Sequence, residues 1–178
     1  MDYLSIIYKF YPTDNELRRT LLRHSRQVAE RCLRIAKCHS ELPVDIRFLE
    51  EAAMLHDIGV FYCNAPSIYC YGMEPYIKHG TIGGDILRAE GYPRHARIAE
   101  RHTGTGLTRE QIVSQQLPLP HEDFVPETLE EQIVCYADKF YSKSDLERVR
   151  TVDETVRNLE KFGRGGVEKF LVWAERFE

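Results

Sequence analysis

The sequence lacks the patterns that identify a disulfide-rich, membrane-spanning or strongly basic protein. Its five cysteines are scattered and none forms a Cys-x-x-Cys pair, which argues against a disulfide framework or a thiolate metal site. No stretch approaches the roughly 18 continuous apolar residues of a membrane span. The first residues lack the charged-then-apolar pattern of an export signal. The net charge of −4 offers no general affinity for nucleic acid or membrane surfaces. We therefore expect a cytoplasmic chain with no membrane partner.

The alternation of apolar and polar residues that indicates β-strands is also missing, whereas helical spacing recurs along the chain. Apolar or neutral residues recur at steps of three and four from Leu17 to Ile35, which predicts a long helix with His24 on its inward stripe. We expect an all-α, single-domain helical bundle over residues 1–178. Further helices are predicted at about 45–57, 75–91, 93–102, 126–141, 152–162 and 167–177.

The segments between these helices carry the residues that favour irregular structure. Residues 60–74 are predicted to form an aromatic loop, and the prolines of 114–126 indicate a second loop. Gly83 and Gly84 lie inside a predicted helix, where each glycine costs about 1 kcal/mol, so we expect another backbone or a ligand to approach there. The helices of 151–178 are expected to complete the fold, with Trp173 and Phe177 in the core or in a dimer contact.

Six polar residues occupy positions where an apolar residue would be easier to accommodate. A buried carboxylate without a partner is costly, and a metal ion satisfies carboxylates and imidazoles together. Four imidazoles and two carboxylates suit iron, manganese, zinc or nickel. Six protein ligands exceed the need of one open catalytic ion, but two ions about 3.5–4 Å apart would use them all. The candidate ligands are His24, His56, Asp57, His79, His102 and Asp138.

One motif resembles the HD-domain superfamily: Leu55-His56-Asp57-Ile58-Gly59. A predicted helix with His24 precedes it, and Asp138 follows it in Tyr136-Ala137-Asp138-Lys139. It is most similar to the HDIG subgroup, and the resemblance covers residues of about 20–145. His79 and His102 resemble the additional histidines of its dinuclear branch. The resemblance implies a helical fold of the HD type.

The resemblance also implies roles for individual residues. His24, His56, Asp57 and Asp138 would hold one divalent ion, and Asp57 would bridge to a second ion that His79 and His102 complete. Asp57, His79 and His102 are therefore also predicted to be catalytic. Two ions per chain are expected, iron or manganese first, with zinc, nickel, cobalt or magnesium as further choices. The residues predicted to bind a phosphorylated substrate are Arg101, Lys139 and Lys143.

By the same resemblance, the chain is expected to be a metal-dependent phosphohydrolase. A metal-activated hydroxide would cleave a phosphate ester or anhydride of a nucleotide or another small phosphorylated metabolite, with no nucleic-acid polymer as a partner. Two alternatives stay open: a di-iron oxygenase of the HD type, and a non-catalytic nucleotide-binding sensor. Val60 favours the sensor, because many HD proteins have a lysine there.

Two groups of aromatic and basic side chains receive weaker predictions. The tyrosines around the 60–76 loop are expected either to stack on a base or to pack against the metal-bearing helices. They are Tyr62, Tyr69, Tyr71 and Tyr76. The remaining histidines are expected on the surface. These are His39, His95 and His121.

Overall fold

The computed structural model describes residues 1–178 and contains nine α-helices and one short β-hairpin. The prediction of an all-α fold is confirmed. The helices are α1 (Tyr3–Phe10), α2 (Glu16–Cys38), α3 (Ile46–Leu55), α4 (His79–Ala89), α5 (Pro93–Arg101), α6 (Arg109–Ser114), α7 (Leu129–Asp138), α8 (Val152–Leu159) and α9 (Arg164–Phe177). The hairpin pairs β1 (Asn64–Ala65) with β2 (Cys70–Tyr71) in antiparallel register.

Helix α2 is the longest element, and its sequence explains both its start and its orientation. The Asn15 side chain accepts a hydrogen bond from the Arg18 backbone amide and so caps the first turn. Its buried face follows the predicted stripe and includes His24, which therefore points into the protein. This face packs mainly against α3 and α7. These two helices lead to the acidic candidates Asp57 and Asp138.

A core of 34 buried side chains joins α1, α2, α3, α5, α7 and α9. Helix α9 contributes Phe170, Trp173 and Phe177, of which the ring of Phe170 lies 5.0 Å from that of Tyr136 in α7. Trp173 and Phe177 therefore belong to the core of this chain. No helix has both the length and the hydropathy that a membrane-spanning segment needs.

The structure corrects several predicted element boundaries. The 60–74 segment is not wholly irregular, because it contains the β1–β2 hairpin. The predicted helix from Pro75 begins instead as a 3-10 turn, and α4 starts at His79. Pro126 does not open α7, because Thr128 and Glu131 form a capping box that starts this helix later. Gly165 and Gly166 do not interrupt the last helix but lie within its first turn.

The glycines of α4 allow the close backbone approach expected from the sequence. A side chain at Gly59 would place its Cβ 2.3 Å from the His79 carbonyl oxygen and 2.4 Å from the Gly83 amide nitrogen. Gly83 in turn lies against Gly59 and Ala99. The main chain that follows α3 therefore touches α4 directly, and this contact sets the distance between the residues the two segments carry.

The prediction that His95 lies on the surface is wrong. Its side chain is buried, packs edge-on against Phe48 at 4.8 Å and places Nε2 3.3 Å from Glu51 Oε2. This contact joins α5 to α3. His121 is exposed, and His39 is half-buried.

Candidate metal centre

Five segments bring the six candidate ligands to one place. His24 projects from the middle of α2, while Asp138 is the last residue of α7 and His79 the first residue of α4. His56, Asp57 and His102 directly follow the ends of α3 and α5. All six side chains are buried, and His56 and Asp57 have no exposed surface. Most of the ligands thus stand at helix ends, where the chain changes direction.

The first group contains His24, His56, Asp57 and Asp138, whose ligand atoms all lie within 4.8 Å of one another. His24 Nε2 lies 3.0 Å from Asp138 Oδ1 and 3.2 Å from Asp57 Oδ2. His56 Nε2 lies 3.0 Å from Asp57 Oδ2 and 3.6 Å from Asp138 Oδ1. Two ligand atoms that are each about 2.0–2.2 Å from one ion are roughly 3.0–3.5 Å apart, so these separations fit a single ion.

The second group contains Asp57, His79 and His102 and shares only Asp57 with the first. It uses the other carboxylate oxygen, because Asp57 Oδ1 lies 3.5 Å from His79 Nε2 and 3.3 Å from His102 Nε2. The two imidazole Nε2 atoms are 3.0 Å apart. Each oxygen of Asp57 therefore faces a different pair of histidines.

The same local contact orients three of the histidine rings. Nδ1 of His56, His79 and His102 lies 2.6, 2.7 and 2.7 Å from the backbone carbonyl oxygen three residues earlier. An Nδ1–H that donates to a carbonyl leaves Nε2 of a neutral ring as a free electron pair. At His79 and His102, two such electron pairs face each other at 3.0 Å, an unfavourable arrangement that a cation between them would relieve.

Buried polar atoms without partners also indicate that this cluster fits a metal ion. His56 Nε2 and Asp57 Oδ1 are buried and have polar neighbours at 3.0 and 3.3 Å, but neither makes a hydrogen bond of suitable geometry, although buried polar atoms are nearly always satisfied. The donor set of imidazole nitrogens and carboxylate oxygens is one that divalent transition metals bind well. Both groups could therefore hold a divalent metal ion, as the sequence predicts.

The protein environment shifts the pKa values of the two groups in opposite directions. Burial disfavours the charged form of His56, but Asp57 and Asp138 outweigh this effect and raise its pKa to about 9. Burial and the neighbouring His102 lower the pKa of His79 to about 3, and burial also lowers that of His102. In the metal-free protein at neutral pH, the first group thus carries a charged imidazole and the second does not.

Two of the three predicted substrate-binding cations lie beside the cluster and the third does not. Lys143 Nζ is 2.6 Å from Asp57 Oδ2, and Lys139 Nζ is 2.6 Å from Asp138 Oδ2 and 2.9 Å from the His102 carbonyl oxygen. The Arg101 guanidinium instead contacts the Val125 carbonyl oxygen and Glu127, away from the cluster. Substrate binding by these residues stays a prediction.

The lysine that is missing at Val60 has a counterpart from another part of the chain. Val60 is buried in the apolar core, whereas Lys143 comes from the irregular segment after α7. Burial disfavours the charge of Lys143, but Asp57 and neighbouring groups outweigh it and raise its pKa well above the usual range. Lys143 therefore supplies a permanent positive charge next to the candidate bridging carboxylate.

A cavity of about 990 Å³ leads to the cluster, with Asp138, Lys139 and Lys143 in its wall. The loop that contains the hairpin also lines the cavity, as does Tyr76, whose ring stacks on that of His79 at 4.6 Å. Of the tyrosines predicted near the site, Tyr76 therefore packs against a candidate ligand. The other three are exposed: Tyr62, Tyr69 and Tyr71.

The chain belongs to the HD domain family, whose model matches residues 21–142. The match contains all six candidate ligands. The resemblance noted in the sequence is confirmed at the level of this family, and the HDIG subgroup and dinuclear branch stay consistent with it. No solved structure matches the chain significantly.

Two similar proteins are named tRNA (cytidine(56)-2'-O)-methyltransferase. The protein of Picrophilus torridus is 35% identical over 139 residues, 78% of this chain and 36% of that protein. The protein of Thermoplasma volcanium is 33% identical over 155 residues, 86% of this chain and 40% of that protein. An uncharacterized protein of Methanocaldococcus jannaschii is 34% identical over 77% of this chain and 78% of its own length. The chain thus spans about two fifths of the length of the named relatives.

These comparisons correct the functional predictions made from the sequence. The prediction of a phosphohydrolase acting on a small phosphorylated metabolite is wrong, because the named relatives are methyltransferases. The prediction that no nucleic-acid polymer is a partner is also wrong, because the name of the same relatives specifies tRNA. The overall negative charge does not exclude an RNA partner, because an acidic chain can still concentrate cations in one cavity.

Proposed function

We propose that this chain is a domain that binds metal ions and RNA and acts in the 2'-O-methylation of tRNA. The observation that carries the proposal is its 33–35% identity to two tRNA methyltransferases over 78–86% of its length. The alignment covers most of this chain but less than half of either relative. We therefore assign the methyl transfer to the rest of those proteins and RNA binding to the region that corresponds to this chain.

The proposal includes two divalent ions, iron or manganese, held by the six candidate ligands. His24, His56, Asp57 and Asp138 would hold one ion, while His79 and His102 would complete the other around the second oxygen of Asp57. Bound ions would supply positive charge for phosphate oxygens of the RNA. Asp57, His79 and His102, predicted as catalytic from the sequence, act here as metal ligands.

The side chains around the cavity support RNA binding by adding charge of the right sign. Lys139, Lys143, Arg150 and Lys161 line the cavity, and Asp138 is its only acidic lining residue. Lysine and arginine side chains that neutralise phosphates supply much of the affinity of proteins for nucleic acid. The cavity of this acidic chain therefore has the charge that an RNA backbone requires.

The test is binding of an unmodified tRNA transcript to the full chain reconstituted with Mn²⁺, followed by fluorescence anisotropy. We expect binding that weakens as salt rises and that is lost when the metals are removed with a chelator. Asp57→Ala should bind weakly, whereas Asp85→Ala, which removes the same charge from an exposed position of α4, should bind as the unmodified chain does.

Two outcomes would overturn the proposal. The first is an absence of tRNA binding, or tRNA binding of equal strength with and without metal. The second concerns the division of labour: formation of 2'-O-methylcytidine by this chain alone, when supplied with transcript and a methyl donor, would place the methyl transfer here.

A further inference from the structure

One wall of the cavity carries an exposed aromatic ring that the metal centre does not use. Phe162 is 77% exposed, more than any other aromatic residue of the chain, and it lines the cavity. It ends the 3-10 turn Glu160–Phe162 between α8 and α9, and Gly163 follows with a φ of 103°. Burial of a phenylalanine side chain contributes about 1.5–3 kcal/mol, so a ligand in the cavity that covers this ring would gain that apolar contact.

The charge beside this ring matches a nucleotide. Lys161 is the residue next to Phe162 and also lines the cavity, where its ammonium group contacts only the side-chain oxygen of Asn158. Single-stranded nucleic acid is commonly bound by an aromatic ring for the base and by basic side chains for the phosphates. Phe162 and Lys161 offer this pair of groups at adjacent positions.

The depth of the metal centre restricts the form of RNA that can reach it. His56 and Asp57 have no exposed surface, so a phosphate must enter the cavity to approach ions bound there. A paired strand keeps its bases stacked inside the duplex, and RNA-binding proteins that stack aromatic side chains on bases do so on unpaired nucleotides. A cavity of about 990 Å³ has the size of a small-ligand site, which suits a nucleotide rather than a duplex.

We propose that the cavity binds an unpaired nucleotide of RNA, with its base stacked on Phe162 and its backbone contacted by Lys161. This inference rests on the proposed function, since it names the part of an RNA that the same site takes. It adds the base-binding element, which comes from the turn between α8 and α9, outside the region of residues 21–142 that the family model matches.

The experiment measures the affinity of the Mn²⁺-loaded full chain for a short labelled single-stranded RNA and for a duplex of the same sequence. We expect the single strand to bind more tightly. Phe162→Ala should weaken single-strand binding about 5- to 150-fold, the range for loss of one base-stacking contact, and Phe162→Tyr should restore it. Tyr71→Ala is the matched control, because Tyr71 is 74% exposed but does not line the cavity.

The possible outcomes separate this inference from the proposed function. Equal binding of single strand and duplex, or unchanged binding by Phe162→Ala, would overturn the inference and leave tRNA binding intact. Displacement of the RNA by cytidine monophosphate at the same concentration as by unlabelled RNA would identify a free nucleotide as the ligand, and would also overturn it. Failure of the unmodified chain to bind any RNA would overturn the proposed function itself.

Discussion

The two groups of candidate ligands have similar geometry but differ in how their charges are neutralised when no metal is bound. The group around His24, His56 and Asp138 contains both carboxylates, and Lys139 and Lys143 each lie 2.6 Å from one of them. The group around His79 and His102 shares one carboxylate and adds two neutral rings whose Nε2 atoms face each other at 3.0 Å. Both carboxylates of the first group thus form ion pairs with lysines, whereas the two histidines that are specific to the second group are neutral.

This difference means that the two groups would accept a divalent ion for different reasons. In the first group an incoming ion competes with a proton on His56 and with two ammonium groups, and it gains the attraction of two carboxylates. In the second group an ion relieves facing electron pairs and displaces no proton. We therefore expect the affinity for the first ion to depend on pH and the affinity for the second ion to depend on the position of α4.

The largest expected effect is that of removing the residue that the groups share. Asp57→Ala removes an oxygen from each group, so the metal content should fall from about two ions per chain to near zero. Elemental analysis of protein purified without oxygen measures this directly, with Asp85→Ala as the control of equal charge. Retention of one ion by Asp57→Ala would show that the groups are independent.

The next effect separates the groups from each other. His79→Ala should reduce the metal content from about two to about one ion per chain, because the first group keeps all four of its ligand side chains. Asp138→Ala should also lose about one ion, but from the first group. Elemental analysis after dialysis provides the measurement, with His121→Ala as a control for loss of an exposed histidine. A full content in His79→Ala would demote this residue to a supporting role.

The backbone contact between the two groups predicts a smaller effect on stability. In Gly59→Ala the new Cβ would overlap the His79 carbonyl oxygen and the Gly83 amide, so the free energy of unfolding should fall by about 1–3 kcal/mol. Gly165→Ala is the matched control: it places a methyl group in open space within α9 and should stabilise by about 0.5–1 kcal/mol. Urea denaturation measures both, and equal stability of the two variants would contradict the prediction.

The smallest expected effect is the pH dependence of metal affinity. The raised pKa of His56, about 9, means that the metal-free first group holds a proton at neutral pH, which a metal ion must displace. The affinity for the first ion should therefore increase with pH up to about 9 and then level off, by at most about tenfold per pH unit. The lowered pKa values of His79 and His102 predict no such dependence for the second ion around neutral pH.

Titration calorimetry in buffers of different ionisation enthalpy tests this difference. We expect release of about one proton when His79→Ala binds its remaining ion. Asp138→Ala, which keeps the second group, should release fewer. Equal proton release by the two variants would show that the groups do not differ in charge without a metal.

Local sequence patterns predicted which segments carry the site better than they predicted contacts between residues that are far apart in the sequence. The inward position of His24 followed from the apolar stripe of α2, and the close approach of another backbone to α4 followed from Gly83 inside a helix. Nearness along the chain did not distinguish Lys143, which lies beside Asp57, from Arg101, which contacts Val125 and Glu127. The burial of His95 against Phe48 was missed for the same reason, because contacts between distant helices leave no periodic signal in a single sequence.

The contact of Gly59 with the start of α4 has a consequence for the choice of metal. Asp57 lies two residues before Gly59, and the His79 carbonyl oxygen is itself one of the atoms that Gly59 touches. The distance between the backbone at Asp57 and the backbone at His79 is thus constrained by a contact of main chain against main chain. Ions of different radius would have to be accommodated by the carboxylate of Asp57 alone. We therefore expect the candidate metal centre to select divalent ions by size as well as by ligand chemistry.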